Sequence, residues 1–189
     1  MSEGAEARVR GIFDATIALH QRLRDGDYAG VVQAAEAIRR THSNGGKVLI
    51  FGNGGSAADA QHMAAELVNR FQKERKALAA LALTTDTSVL TSIGNDYTFD
   101  RVFERQVEAL GRPRDVAFAI TTSGDSPNVL RGLAAARECG MMTIALTERD
   151  GGKAGRFADI HVNVPDSSTP RVQEVHLTLI HVICELIEA

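Results

Sequence analysis

Short, almost unbroken apolar runs alternate along this chain with longer stretches whose apolar residues recur every three or four positions. The runs are Lys47–Phe51, Ala79–Leu83, Asp115–Ile120, Met142–Leu146 and Ile160–Val164. Such runs suit strands buried on both faces. Between and after them, Ser88–Ile93, Val102–Leu110, Asn128–Cys139 and Val172–Glu188 read as helices. Two more helical patterns come first. Residues 5–24 space Val9, Ile12, Phe13, Ile17 and Leu23 around a helix, and 28–42 repeat the pattern with Val31, Val32, Ala35 and Ile38 before Gly45-Gly46. Strand–helix alternation predicts an α/β fold, a doubly wound five-stranded parallel sheet flanked by helices, with an N-terminal helical pair. That pair has no obvious sheet to complete and is expected on the outside of the domain or against another subunit.

Two loops carry most of the turn chemistry. Gly52-Asn53-Gly54-Gly55 follows the first strand, and Ser56 stands where a helix N-cap belongs. Thr121-Thr122-Ser123-Gly124-Asp125-Ser126-Pro127 follows the third strand, with Ser126 placed as N-cap, Pro127 as the first helical residue and Gly140 just past the helix end. Gly94–Tyr97 and Glu148–Gly155 read as loops and Pro165–Pro170 as a turn. In a parallel sheet both polar loops fall at the carboxyl ends of the strands, where ligands bind. The free N–H groups and dipole of a helix start attract an anion there without any Lys or Arg.

With 189 residues the chain is long enough for one α/β domain, spanning 1–189, with helices over about 5–42 and the α/β core from 47 onward. A net charge of −3 gives no electrostatic footprint for nucleic acid or an anionic membrane. Cys139 and Cys184 form no CxxC pair, and Met1–Glu6 is acidic without an apolar signal core. A cytoplasmic protein with reduced thiols is the expectation. Val175–Ile187, the most apolar segment, is interrupted by His176, His181 and Glu185 and is too short to span a bilayer.

His62 and Glu66 project from one helix face, and Gln173, Leu177 and His181 share a stripe on the last helix. Two imidazoles, one carboxylate and one amide oxygen make a four-coordinate set for zinc. The same groups also serve, without metal, as general base and acid. His20, His42, His161 and His176 read as histidines bonded to nearby carbonyls or side chains.

These segments together resemble the sugar isomerase (SIS) domain family and, within it, the phosphoheptose isomerases. The matching pieces are Phe51-Gly-Asn-Gly-Gly-Ser-Ala-Ala-Asp-Ala-Gln-His62 with Glu66, Gly94-Asn95-Asp96, Thr121–Ser126 with Asn128, and Val172-Gln173-Glu-Val-His176 with His181. The resemblance implies a homotetramer with active sites at subunit interfaces. It implies one zinc ion per subunit on His62, Glu66, Gln173 and His181. Asn53, Gly54, Gly55, Ser56, Glu66, Asn95, Asp96, Thr121, Thr122, Ser123, Ser126 and Gln173 would hold a sugar phosphate. The implied reaction is the aldose–ketose interconversion of sedoheptulose 7-phosphate and D-glycero-D-manno-heptose 7-phosphate, with Glu66 and His181 as catalytic base and acid. A non-catalytic relative that binds a sugar phosphate or a replication initiator is the alternative. Two departures stand out. Thr121 replaces a serine, and Pro170 stands where an aspartate is common, in a loop one residue short.

Overall fold

The computed structural model describes residues 3–189. In chain order the elements are α1 (Glu3–Arg24), α2 (Ala29–Ser43), β1 (Val48–Gly52), α3 (Gly55–Val68), β2 (Ala80–Ala82), α4 (Thr87–Asp96), α5 (Val102–Leu110), β3 (Val116–Thr121), α6 (Pro127–Glu138), β4 (Met142–Glu148), α7 (Gly152–Phe157), β5 (Ile160–Val164) and α8 (Thr169–Glu188). The five strands form one parallel sheet in the order β2-β1-β3-β4-β5. After β1 the chain steps outward to β2, then returns past β1 to build the other half. The switch point therefore lies between β1 and β3.

Residues in register share a face. Ala82, Ile50, Phe118, Ile144 and Ile160 make one rung across the sheet, and their face is covered by α2, α3 and α8. The alternate residues Leu49, Phe51, Ala117, Ala119 and Ala145 face the other way, under α5 and α6. Small alanines let those helices come close. Gly132 on α6 sits so near Phe51 that a Cβ there would lie 2.9 Å from the ring.

The N-terminal helices differ from one another. α2 is part of the core, with Val31, Ala34, Ala35, Ala37 and Ile38 buried. It does cover the sheet, contrary to the sequence expectation, and Gly30 makes the close approach to β5. A Cβ at Gly30 would fall 2.4 Å from the His161 carbonyl oxygen. α1 is anchored by Leu19 against Val164, Val172 and Val175. Leu23 packs beside it, whereas Val9, Ile12, Phe13 and Ile17 are 46–64 % exposed. Among the described residues no helix is long and apolar enough to cross a membrane.

Three local expectations are corrected. Gly94-Asn95-Asp96 is the last turn of α4 rather than a loop, because the Asp86 cap starts a helix that apolar contacts carry on to Ile93 and beyond. Glu148 ends β4, and the glycines after it begin α7. Ser56 is not a cap, as described next.

Candidate active site

The β1–α3 turn is set by glycines that have no room for a side chain. A Cβ on Gly52 would lie 2.5 Å from the Ile120 carbonyl oxygen and 2.8 Å from Ser56 Cβ. Gly54, at φ +56°, is the actual N-cap, and its carbonyl accepts from Ala57 N–H at 3.0 Å. The helix therefore starts earlier than serine placement suggests, and Ser56 is buried within its first turn. No side chain caps this helix, and none caps α6 behind Ser126. Both starts retain the polarity that attracts an anion.

The two loops are bolted together. Asn53 and Asn128 exchange amide hydrogen bonds, Asn53 Nδ2 donating to Asn128 Oδ1 at 2.9 Å and Asn128 Nδ2 to Asn53 Oδ1 at 2.8 Å. Asn128 Oδ1 also accepts the Val129 N–H at 2.9 Å. Within the second loop, Thr121 Oγ1 accepts from Gly124 N–H and Ser123 Oγ from Asp125 N–H, each at 3.2 Å. Thr121 is buried, Thr122 and Ser126 are half-buried and Ser123 is exposed. Asn128 stood in the matched motif without a role. Its side chain is what fixes the spacing of the two loops.

The helices α3 and α8 lie side by side and run the same way. Gln173 meets Gly55 near their starts, and His181 meets His62 two turns further on. His62 Nε2 is 2.8 Å from His181 Nε2 and 3.3 Å from Glu66 Oε1. The two imidazole rings are 5.0 Å apart, and the Phe71 ring lies 5.2 Å from that of His181. One donor atom from each of His62, Glu66 and His181 lies within 4.8 Å of the others. All three side chains are half-buried, accessible to a small molecule. Two imidazole nitrogens and a carboxylate oxygen converging this closely fit a divalent cation of borderline softness such as zinc.

Gln173 lies on α8 at its contact with the start of α3. Its amide packs on the α3 start, where a Cβ on Gly55 would be 2.5 Å from Gln173 Nε2. Asn95 and Asp96 are exposed at the end of α4 and bond to each other at 2.9 Å. Asp96 lines a groove with Leu81, Tyr97 and Arg105 away from the two loops.

Asp59 was not foreseen, although it precedes His62 by three residues and so shares its helix face. Its Oδ2 is buried without a hydrogen-bond partner. Burial raises the carboxyl pKa to about 6, with His62 pulling the other way. The other histidines are structural, as expected. The buried His176 Nε2–H donates to the Thr147 carbonyl at 3.0 Å, and burial lowers its pKa to about 4 despite that bond. His42 donates to the Ala79 carbonyl, His20 to that of Thr16, and His161 pairs with the Thr147 hydroxyl.

A family model for the SIS domain matches residues 12–148. A phosphoheptose isomerase of Aquifex aeolicus is 60% identical over 158 residues, covering 84% of this chain and 83% of that protein. The chain belongs to the phosphoheptose isomerase family of SIS domain proteins. The solved phosphoheptose isomerase of Neisseria gonorrhoeae superposes with a TM-score of 0.93 at 49% identity, over 97% of this chain and 98% of that one. The one from Francisella tularensis also gives 0.93, at 37% identity, over 99% and 98%. The general SIS match ends at Glu148, before Gln173 and His181. The phosphoheptose isomerase structures match through α8, the helix that carries both.

Proposed function

We propose that this protein isomerises sedoheptulose 7-phosphate to D-glycero-D-manno-heptose 7-phosphate in bacterial heptose biosynthesis. The observation that carries the proposal is the joining of His62, Glu66 and His181 across α3 and α8, beside an anion cradle made by the starts of α3 and α6 with the Asn53–Asn128 loops. Asn53, Gly54, Gly55 and Ser56 on one side and Thr121, Thr122, Ser123 and Ser126 on the other receive the phosphate. Gln173, beside Gly55, reaches the sugar. Glu66 removes a proton from C1 of the ketose, the C1–H electrons form the C1–C2 double bond, and the carbonyl oxygen takes up a proton from His181. The enediol then loses its O1 proton to His181 as C1=O forms, and Glu66 returns a proton to C2. The net change is a ketose turned aldose with no co-reactant.

His62, Glu66 and His181 would hold one zinc ion per subunit, which when bound polarises substrate oxygens. Gln173, two turns before His181 on α8, would complete that set through its amide oxygen and also contact substrate. A carboxylate engaged by metal is a weaker base, so Glu66 acts as base when free of the ion. The 46–64 % exposed α1 stripe supports a homotetramer, with Asn95 and Asp96 serving a site shared between subunits. The cytoplasm, where sugar phosphates are made, is the proposed location. A purely scaffolding role, such as binding a replication initiator, leaves the convergent trio without a purpose.

A substrate panel tests this reading. Sedoheptulose 7-phosphate is expected to give the aldose heptose phosphate at a rate at least about tenfold above that for a six-carbon ketose phosphate. Chelation should lower the rate at least about tenfold, and added zinc should restore it. Equal rates on both sugars would move the assignment to another sugar phosphate, and indifference to chelator would remove the metal.

A further inference from the structure

The last residues of α8 hold a structure that the proposed reaction has not yet used. Glu188 is one residue from the C-terminus, yet its side chain is only 2 % exposed. Its carboxylate takes four donors. Oε1 accepts Phe71 N–H and Arg75 Nε–H, both at 2.9 Å. Oε2 accepts Gln72 N–H at 2.9 Å and Lys73 N–H at 2.8 Å. Three successive backbone N–H groups aimed at one carboxylate form an anion nest, occupied here by the protein's own side chain.

The nest is part of the segment that leaves α3, and this segment touches the candidate site twice. Phe71 lays its ring against His181, centroids 5.2 Å apart and planes inclined by 31°. Arg75, whose Nε donates to Glu188, turns its other nitrogens to the end of α3. Nη2 donates to the Glu66 carbonyl at 2.8 Å and Nη1 to the Leu67 carbonyl at 2.9 Å. Those are the orphan carbonyls of a helix end, which has no glycine there to close it. One carboxylate is thus two contacts from both groups assigned to proton transfer. It reaches the His181 ring through Phe71 and the Glu66 backbone through Arg75.

We propose that Glu188 is a positioning residue for the isomerase, clamping the 71–75 segment so that Phe71 sets the His181 ring and Arg75 sets the backbone of Glu66. The proposal rests on the isomerase reading for its catalytic meaning, but its geometric claim stands on its own. Burial alone would raise the Glu188 pKa. The N–H donors of residues 71–73 and the Arg75 guanidinium overcome that and hold it at about 2. The clamp therefore stays ionised throughout the neutral range. It also acts at one end only. The phosphate loops and Gln173 lie at the opposite end of α3 and α8, so loosening the clamp should disturb proton transfer and leave phosphate capture alone.

The test compares Glu188→Ala, Glu188→Gln and Phe71→Ala in the full-length protein. Steady-state rates are measured with sedoheptulose 7-phosphate, and the His181 ring Cε1–H signal is followed by NMR in chelator-treated protein. Removing the carboxylate is expected to lower kcat about tenfold to a hundredfold, the effect of misplacing a catalytic group by about 1 Å, with KM within about twofold. The His181 signal should move in the same sense as in Phe71→Ala, because both changes withdraw the ring current of Phe71. Glu188→Gln keeps two acceptor-sized atoms and should recover part of kcat. If Glu188→Ala does not fold, Glu188→Gln is read by the same criteria. An unmoved His181 signal with kcat per folded molecule unchanged overturns the proposal, as does a loss shared equally by kcat and KM. If the wild type itself shows no turnover, the isomerase reading fails and the His181 signal alone decides whether the clamp exists.

Discussion

Glu66→Gln is expected to lower turnover of sedoheptulose 7-phosphate by about 10²–10⁴-fold, the contribution of a positioned general base. The change is isosteric, so the packing of α3 on α8 is retained. What disappears is the lone pair basic enough to take the C1 proton. Capture of the phosphate end should change by less than about twofold, because the cradle belongs to the helix starts and to the Asn53–Asn128 bolt, three turns of α3 away. The measurement is kcat at saturating ketose together with the inhibition constant of an unreactive sugar phosphate. Near-normal kcat would take Glu66 out of the chemistry. A weakened inhibitor would mean that the carboxylate binds rather than reacts.

Gly124→Ala is expected to damage the opposite part of the site and the fold with it. Gly124 has φ +70°, and a Cβ there would meet the Gly151 carbonyl oxygen at 2.2 Å and Gly152 Cα at 2.9 Å. These are backbone atoms that cannot rotate away, and Ala154 N–H donates to the Gly124 carbonyl from the same turn at 2.9 Å. Left-handed strain and overpacking together cost roughly 2–5 kcal/mol. For a chain of this size that lowers the melting temperature by roughly 5–15 °C. The displaced loop carries Thr122 and Ser123, so KM for the sugar phosphate should rise while kcat changes less. Gly54→Ala is the control. It has φ +56° but open space around its Cβ, so it should cost only about 1–2 kcal/mol. A Gly124→Ala protein that melts with the wild type would refute this picture of two loops packed glycine on glycine.

Much of this architecture could be read from periodicity, because nothing else satisfies five short apolar runs separated by amphipathic stretches. The central runs β1 and β3 are buried on both faces, and β4 is too beyond Met142, whereas the edge strands β2 and β5 are only partly covered. The errors have local causes. Gly94-Asn95-Asp96 has loop composition, but the Asp86 side chain accepts Val89 N–H and launches a helix whose contacts outlast poor propensity. Ser56 reads as a cap because serine favours that position. Gly54 takes it instead, since only glycine combines its backbone angles with the crowding at Gly52. The role of α2 was hidden because a helix that precedes its sheet in sequence gives no sign of which strands it covers.

The proximity of His62 and Glu66 follows from helical spacing alone. Their meeting with His181 could not follow from it, since it depends on α8 lying beside α3 in the same direction, with Gln173 at Gly55 as the first point of contact. Asp59 carried a legible signal, three residues before His62. The Glu188 clamp carried none. Nothing in an acidic C-terminal residue announces three backbone donors 115 to 117 positions upstream.

The most direct test of the isomerase assignment is a proton NMR time course of the purified protein with sedoheptulose 7-phosphate in deuterated water. The expected result is growth of aldose heptose phosphate signals with deuterium incorporated at C2, because the proton returned by Glu66 exchanges with solvent at the enediol stage. The absence of both aldose formation and exchange at C1 of the ketose, from folded protein supplied with zinc, would contradict it.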